Sequence, residues 1–168
     1  MKIRPLSSIT ETKNAFHKTD LNNEFSRVIN VHTLGVEPQI LKFSAMPNEK
    51  ERLRDRLGIL ALNRFEIKCQ VSHDFLHSRV HIDAMLCAEL VQACVLTLAE
   101  VKETLSEPVS LKLVTKCAAE DTSGRFFDDG PEEIELNADG TIDMGEIFAQ
   151  YLSLSMNPYP RAGQSTSN

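Results

Sequence analysis

Residues 79–90 alternate. Val80, Ile82, Ala84, Leu86, Ala88 and Leu90 fall on one side; Arg79, His81, Asp83 and Glu89 fall on the other. A period of two is that of a strand with one buried and one solvated face. After Leu90 the pattern loosens. Leu90, Val91, Cys94, Val95, Leu98 and Val101 fit helical spacing about as well as strand spacing, so residues 91–101 stay open between strand, turn and helix. The run 79–101 is the longest apolar-rich segment and is expected to cross the core.

Other stretches supply its neighbours. Residues 25–31 and 39–45 read as strands separated by Gly35 and Pro38. Residues 65–71 alternate, with Phe65, Ile67, Cys69 and Val71 against Glu66, Lys68 and Gln70. A further strand is expected at 109–115, with Pro108 at its start. Short links between the strands around Phe65, Arg79 and Val109 predict an antiparallel meander. Pro47 opens a helix, with Glu49 and Glu51 at its positive end. Leu53, Leu57 and Leu60 are expected on its core face, and Gly58 as a left-handed cap.

The best local signal lies near the C-terminus. Asp143 is placed as an N-cap with Glu146 three residues on, flanked by Ile142 and Ile147 in the positions of a hydrophobic staple. Met144, Ile147, Phe148, Tyr151, Leu152 and Met156 trace the apolar stripe of a helix that ends before Asn157-Pro158. The fold class expected is α+β: an antiparallel sheet covered on one face by two main helices. At 168 residues the chain suits one domain, residues 24–157. It follows a loose leader at 1–23 and precedes a tail at 158–168 expected to be disordered. No stretch is apolar for long enough to suggest a membrane span, and the N-terminus lacks a signal-peptide core, so a cytoplasmic protein is expected.

Charge is uneven. The net charge is −6, yet residues 120–146 hold ten acids against Arg125 alone, leaving 17 bases and 14 acids elsewhere. A wholly basic nucleic-acid-binding domain is thereby excluded. Two contact surfaces follow. Lys50, Arg52, Arg54 and Arg56 on the Pro47 helix form a candidate basic patch for RNA, though Glu49, Glu51 and Asp55 interleave with them as on any solvated helix. Asp128, Asp129, Glu132 and Glu133, around a loop at 117–131, form a candidate acidic arm for a basic protein.

Catalytic and metal-binding patterns are weak. His73, His77 and His81 are spaced by four, but His73 and His77 fall between strands and His81 on a strand, so a turn with exposed imidazoles is expected, not a metal site. Cys69, Cys87, Cys94 and Cys117 form no C-x-x-C pair and read as free thiols. Asp128 and Asp129 have no base or nucleophile nearby. No catalytic residue, metal or cofactor is expected.

Two segments taken together resemble the YceD family, the large ribosomal RNA subunit accumulation proteins, in their alphaproteobacterial form. They are residues 90–101, LVQACVLTLAEV, and residues 139–160, DGTIDMGEIFAQYLSLSMNPYP. Glu24-Phe25-Ser26-Arg27 and residues 56–62 fit the same pattern, and the likeness runs in order from about residue 25 to 161. Cys94, Asp139, Gly140, Asp143 and Glu146 are the motif positions. The resemblance implies a non-catalytic role in accumulation and processing of large-subunit rRNA, through rRNA or a basic ribosomal protein of the pre-ribosomal large subunit. It departs in one respect. Many members carry C-x-x-C where this chain has Cys94-Val-Leu-Thr97, and further cysteines where it has Arg161-Ala-Gly163. Cys94 is then expected to be a core thiol. Outside the resemblance stand a metal-dependent RNA-processing nuclease and an interaction module unrelated to ribosomes.

Overall fold

The computed structural model describes residues 24–35, 37–74, 79–114 and 131–163. The elements in order are β1 (Val28–Asn30), a 3-10 turn (Val31–Thr33), β2 (Gln39–Ser44), α1 (Pro47–Leu57), β3 (Ala61–Asp74), β4 (Arg79–Ala93), β5 (Glu100–Val114), β6 (Glu132–Glu135), β7 (Thr141–Asp143) and α2 (Met144–Ser155). The fold is α+β. Five strands in the order β2-β3-β4-β5-β6 make the main sheet, and β1 pairs with β7 in a small second one.

Alternation decides which face is covered. Phe65, Ile67, Cys69 and Val71 stand opposite Ala88, Leu86, Ala84 and Ile82, and all are buried. Leu105, Val109, Leu111 and Leu113 extend the same apolar layer on β5. Leu53 of α1 and Met144, Phe148 and Leu152 of α2 close over it, each without solvent exposure. The opposite face carries Lys42, Lys68, Met85, Ser106 and Ser110, all exposed.

Three strands are longer than the alternation predicts. β3 extends to 14 residues because a register shift between Leu62 and Arg64 breaks the period without ending the pairing. β4 and β5 have 15 residues each. Pro108 therefore lies within β5 opposite Met85, not at its start. It is tolerated because β6 pairs only with Leu111–Val114, leaving β5 an edge strand at Pro108. The ambiguous stretch 91–101 is a hairpin end: β4 runs to Ala93, residues 95–97 turn, and β5 begins at Glu100.

β3, β4 and β5 form the expected antiparallel meander, and β2 joins it antiparallel to β3 as a fourth strand after which the chain passes through α1. The fifth departs from it, since β6 pairs parallel to β5. Conversely, β1 is shorter than the expected strand at 25–31. Phe25 is buried and the carbonyl of Arg27 accepts from Met144 N–H at 3.0 Å, so this part of the chain serves the start of α2. Gly58 takes the left-handed cap at φ 65° and ends α1. Leu60 lies past that cap and is 47% exposed, so it does not join Leu53 in the core. The tail expected from 158 is packed as far as Pro160, which is buried and whose carbonyl accepts from Val95 N–H at 2.9 Å. The leader at 1–23 and residues 164–168 lie outside the described residues.

Candidate functional site

Two of the motif positions, Asp143 and Glu146, stand at the start of α2, where the end of α1 approaches it. Asp143 ends β7 and caps α2. Its Oδ1 accepts from the backbone N–H groups of Gly145 (2.9 Å), Glu146 (3.3 Å) and Arg27 (2.7 Å), and its Oδ2 accepts from the Ser26 hydroxyl (2.7 Å). One carboxylate thus serves free donors of the helix start and fixes the segment before β1. Gly145 makes the approach possible: a Cβ there would lie 2.4 Å from the Phe25 carbonyl oxygen.

Arg27 carries the link to α1. Its guanidinium donates to both oxygens of Glu49 at 2.8 Å and lies over the Phe25 ring, 4.4 Å from its centroid. Burial pushes the Glu49 carboxyl up, but Arg27 and the Met46 N–H outweigh it, and the group sits below its ordinary value. Arg56, in the last turn of α1, donates to Glu146 at 2.7 and 2.6 Å and to Glu24 at 3.2 Å. Arg56 holds the Glu146 carboxyl below its ordinary value. Glu146 therefore does not act as the return half of a capping box; its oxygens face Arg56 and Gln150. Asp139 accepts from the Thr141 hydroxyl and N–H, and Gly140, at φ 74°, packs so close to His32 that a Cβ would lie 2.4 Å from its ring.

The expected basic patch is largely engaged within the chain. Lys50 donates to the Asn63 carbonyl at 2.9 Å, Arg54 pairs with Asp55 and Arg56 with Glu146. Arg52 is exposed, and its charge helps to hold the Glu49 carboxyl below its ordinary value. In the acidic arm, Asp128 and Asp129 lie outside the described residues. Glu132 accepts the Tyr151 hydroxyl. Burial, then Glu132, pushes that phenol up to about 12. Glu133 lies on β6 opposite Lys112.

The histidines do not converge. His73 lies within β3, on the side of Val71, and His81 on the opposite face of the sheet, while His77 lies outside the described residues. Among the described residues no group of three or more His, Cys, Asp or Glu side chains is placed to hold a metal ion. No helix among them is long and apolar enough to cross a membrane.

A feature not read from sequence lies at the far end of β4 and β5. Cys94 is buried at the base of the turn, and its Sγ accepts from Ala162 N–H at 3.3 Å. The Thr97 hydroxyl, followed by the backbone N–H groups of Ala162, Leu96 and Thr97, brings the thiol down to about 6. Cys69, by contrast, is pushed up to about 11 by burial. Glu103 on β5 accepts from Gln92 and from Asn157 N–H, tying the chain after α2 to both strands. The residues after the helix form no periodic pattern, so only the cysteine positions of the resemblance hinted that this segment returns to Cys94.

A second unread feature is a groove of about 430 Å³ on the sheet face opposite the helices, lined by Lys42, Lys68, Met85 and Cys87 among others. No family model, curated protein or solved structure matches this chain.

Proposed function

We propose that this protein is a non-catalytic factor in biogenesis of the large ribosomal subunit, of the YceD type. One observation carries the reading. The resemblance locates family cysteines in two segments far apart in sequence, 94–97 and 161–163. Here those segments touch, through Ala162 N–H and Cys94 Sγ. That contact supports the reading, because it joins the two segments that the resemblance singles out. The grouping of Ser26, Arg27, Asp143 and Glu146 around the helix ends supports the same reading, because it gives two of the motif positions and the Glu24–Arg27 segment a shared structural task.

Within this reading a protein contact is favoured over RNA. Two of the four basic side chains on α1, Arg54 and Arg56, are paired with carboxylates of the chain itself, which lowers the charge they can offer to phosphates, and Lys50 is turned to the Asn63 carbonyl. The test is the ribosome profile of cells lacking the protein. A deficit of large subunits with accumulation of large-subunit rRNA precursors is expected. Normal subunits and normal precursors would refute the proposal.

A further inference from the structure

The sheet face opposite the helices holds one row whose chemistry changes along its length. In register across four strands it runs Lys42 on β2, Lys68 on β3, Met85 on β4 and Pro108 on β5, all exposed. The row is basic at one end and apolar at the other. Lys42, Lys68 and Met85, with Ser44, Glu66 and Cys87, line the groove of about 430 Å³. A hollow of that size suits a small molecule.

The two lysines stand directly opposite each other in the ladder, where Cβ atoms lie about 4.5–5.5 Å apart and like charges repel. A lysine on an edge strand guards that edge against further pairing, which accounts for Lys42 on β2. Lys68 has no such task, because β3 lies between β2 and β4. The carboxylates beside it on this face are engaged elsewhere. Glu66 pairs with Arg64 at 2.7 Å, and Asp83 accepts the Ser110 hydroxyl at 2.7 Å. Among the described residues no ion pair reaches either lysine. An anion between the two ammonium groups turns their repulsion into attraction.

We propose that the groove binds a small amphipathic anion, a carboxylate carried on a hydrocarbon chain. Lys42 and Lys68 donate to the carboxylate, and the chain lies along Met85 toward Pro108. Methionine suits that role, since its flexible, polarisable side chain adapts to an apolar partner. Phe43 is the one aromatic residue at the groove, and it is buried in the core, so a nucleic-acid base finds nothing to stack on. The inference stands apart from the functional reading above, which uses none of these residues.

The test uses the full chain with labelled methionine methyl groups, as wild type and as Lys42→Gln with Lys68→Gln. Each is titrated with decanoate, kept below its micelle concentration, and followed by NMR. Wild type should saturate with a shift of the Met85 methyl signal. The double variant should bind at least about tenfold more weakly, the worth of one lost hydrogen bond to a charged group. It should unfold at or above the wild-type temperature, because facing like charges have been removed. A lower temperature would show that the lysines serve the fold and would overturn the proposal. Decanol has the chain without the charge, and inorganic phosphate the charge without the chain. Each should bind at least about tenfold more weakly than decanoate. Equal binding by decanol makes the groove a plain apolar surface, and equal binding by phosphate a plain anion site; either overturns the proposal. It is also overturned if wild type binds no decanoate, or if it prefers anionic phospholipid vesicles, a glutamate-rich peptide or single-stranded RNA at the same lysines.

Discussion

Arg56 and Glu146 join the end of α1 to the beginning of α2 through two parallel hydrogen bonds of 2.7 and 2.6 Å. The cation sits at the negative end of one helix and the anion at the positive end of the next, so each also favours its own helix dipole. The side chains are 34% and 27% exposed, which screens the pair and limits its worth. Arg56→Ala and Glu146→Ala are each expected to cost about 1 kcal/mol in urea unfolding, and the double variant less than their sum by about 0.5 kcal/mol. Strict additivity would mean that the pair contributes no coupling.

Glu49 and Glu146 make stability depend on pH in a defined direction. Both carboxyls lie below their ordinary value in the folded chain. A depressed folded pKa means that the unfolded chain binds protons first. Their contribution is therefore full above about pH 4.3, the ordinary glutamate value, and is lost as pH falls below it. Unfolding followed from about pH 6 to pH 3 should show stability declining over the acid end of that range. In Glu49→Gln with Glu146→Gln the decline should be shallower and the stability at neutral pH lower. An unchanged slope would show that other carboxylates govern the acid limb.

What could be read from sequence was what repeats or caps locally. The alternation of 79–90, Pro47 with Gly58, and Asp143 before its apolar stripe each specify an element through its own neighbours. The end of β4 was not legible, because Val91, Cys94, Val95 and Leu98 satisfy two periods at once and only pairing with β5 decides between them. Pro108 misled for a related reason: it marks an edge, and the edge lies along the side of a long strand instead of at its end. The parallel β6 depends on long-range pairing with β5 that no local pattern announces. Among the candidate contacts, residue type showed that Lys50, Arg54 and Arg56 are basic. It did not show that Asn63, Asp55 and Glu146 would take them up. Arg27 has no periodic signature, yet it reaches Glu49 and lies over Phe25.

Asp143 and Gly145 form a single joint between β1 and α2. Asp143→Ala removes the cap and leaves the Ser26 hydroxyl and Arg27 N–H without their acceptor, so a loss of about 2 kcal/mol is expected. Asp143→Asn keeps one acceptor oxygen and should recover part of it. Gly145→Ala provides the sharper test. At an ordinary helix position alanine would stabilise by up to about 1 kcal/mol. Here the new methyl would meet the Phe25 carbonyl and the Arg27 nitrogen, at 2.4 and 2.8 Å, both backbone atoms that cannot swing aside. A destabilised protein in thermal unfolding is therefore expected, and a gain in stability would contradict the packing.

Cys94 should behave as a thiolate near neutral pH despite its burial. Its sulfur faces the Thr97 hydroxyl and three backbone N–H groups, which favour the charged form and bring the thiol to about 6. Thiolate absorbance titrated in wild type and in Cys94→Ala should differ by one group with a midpoint near that value. Cys69, at about 11, stays protonated through the same range. Thr97→Val removes the first of the stabilising donors and should move the midpoint upward. Because the folded value lies below the unfolded one, stability should rise with pH between about 6 and the ordinary thiol range near 8.5, and Cys94→Ala should flatten that rise. A midpoint at the ordinary thiol value, unmoved by Thr97→Val, would show that the donors around the sulfur hold the turn without acting on its charge.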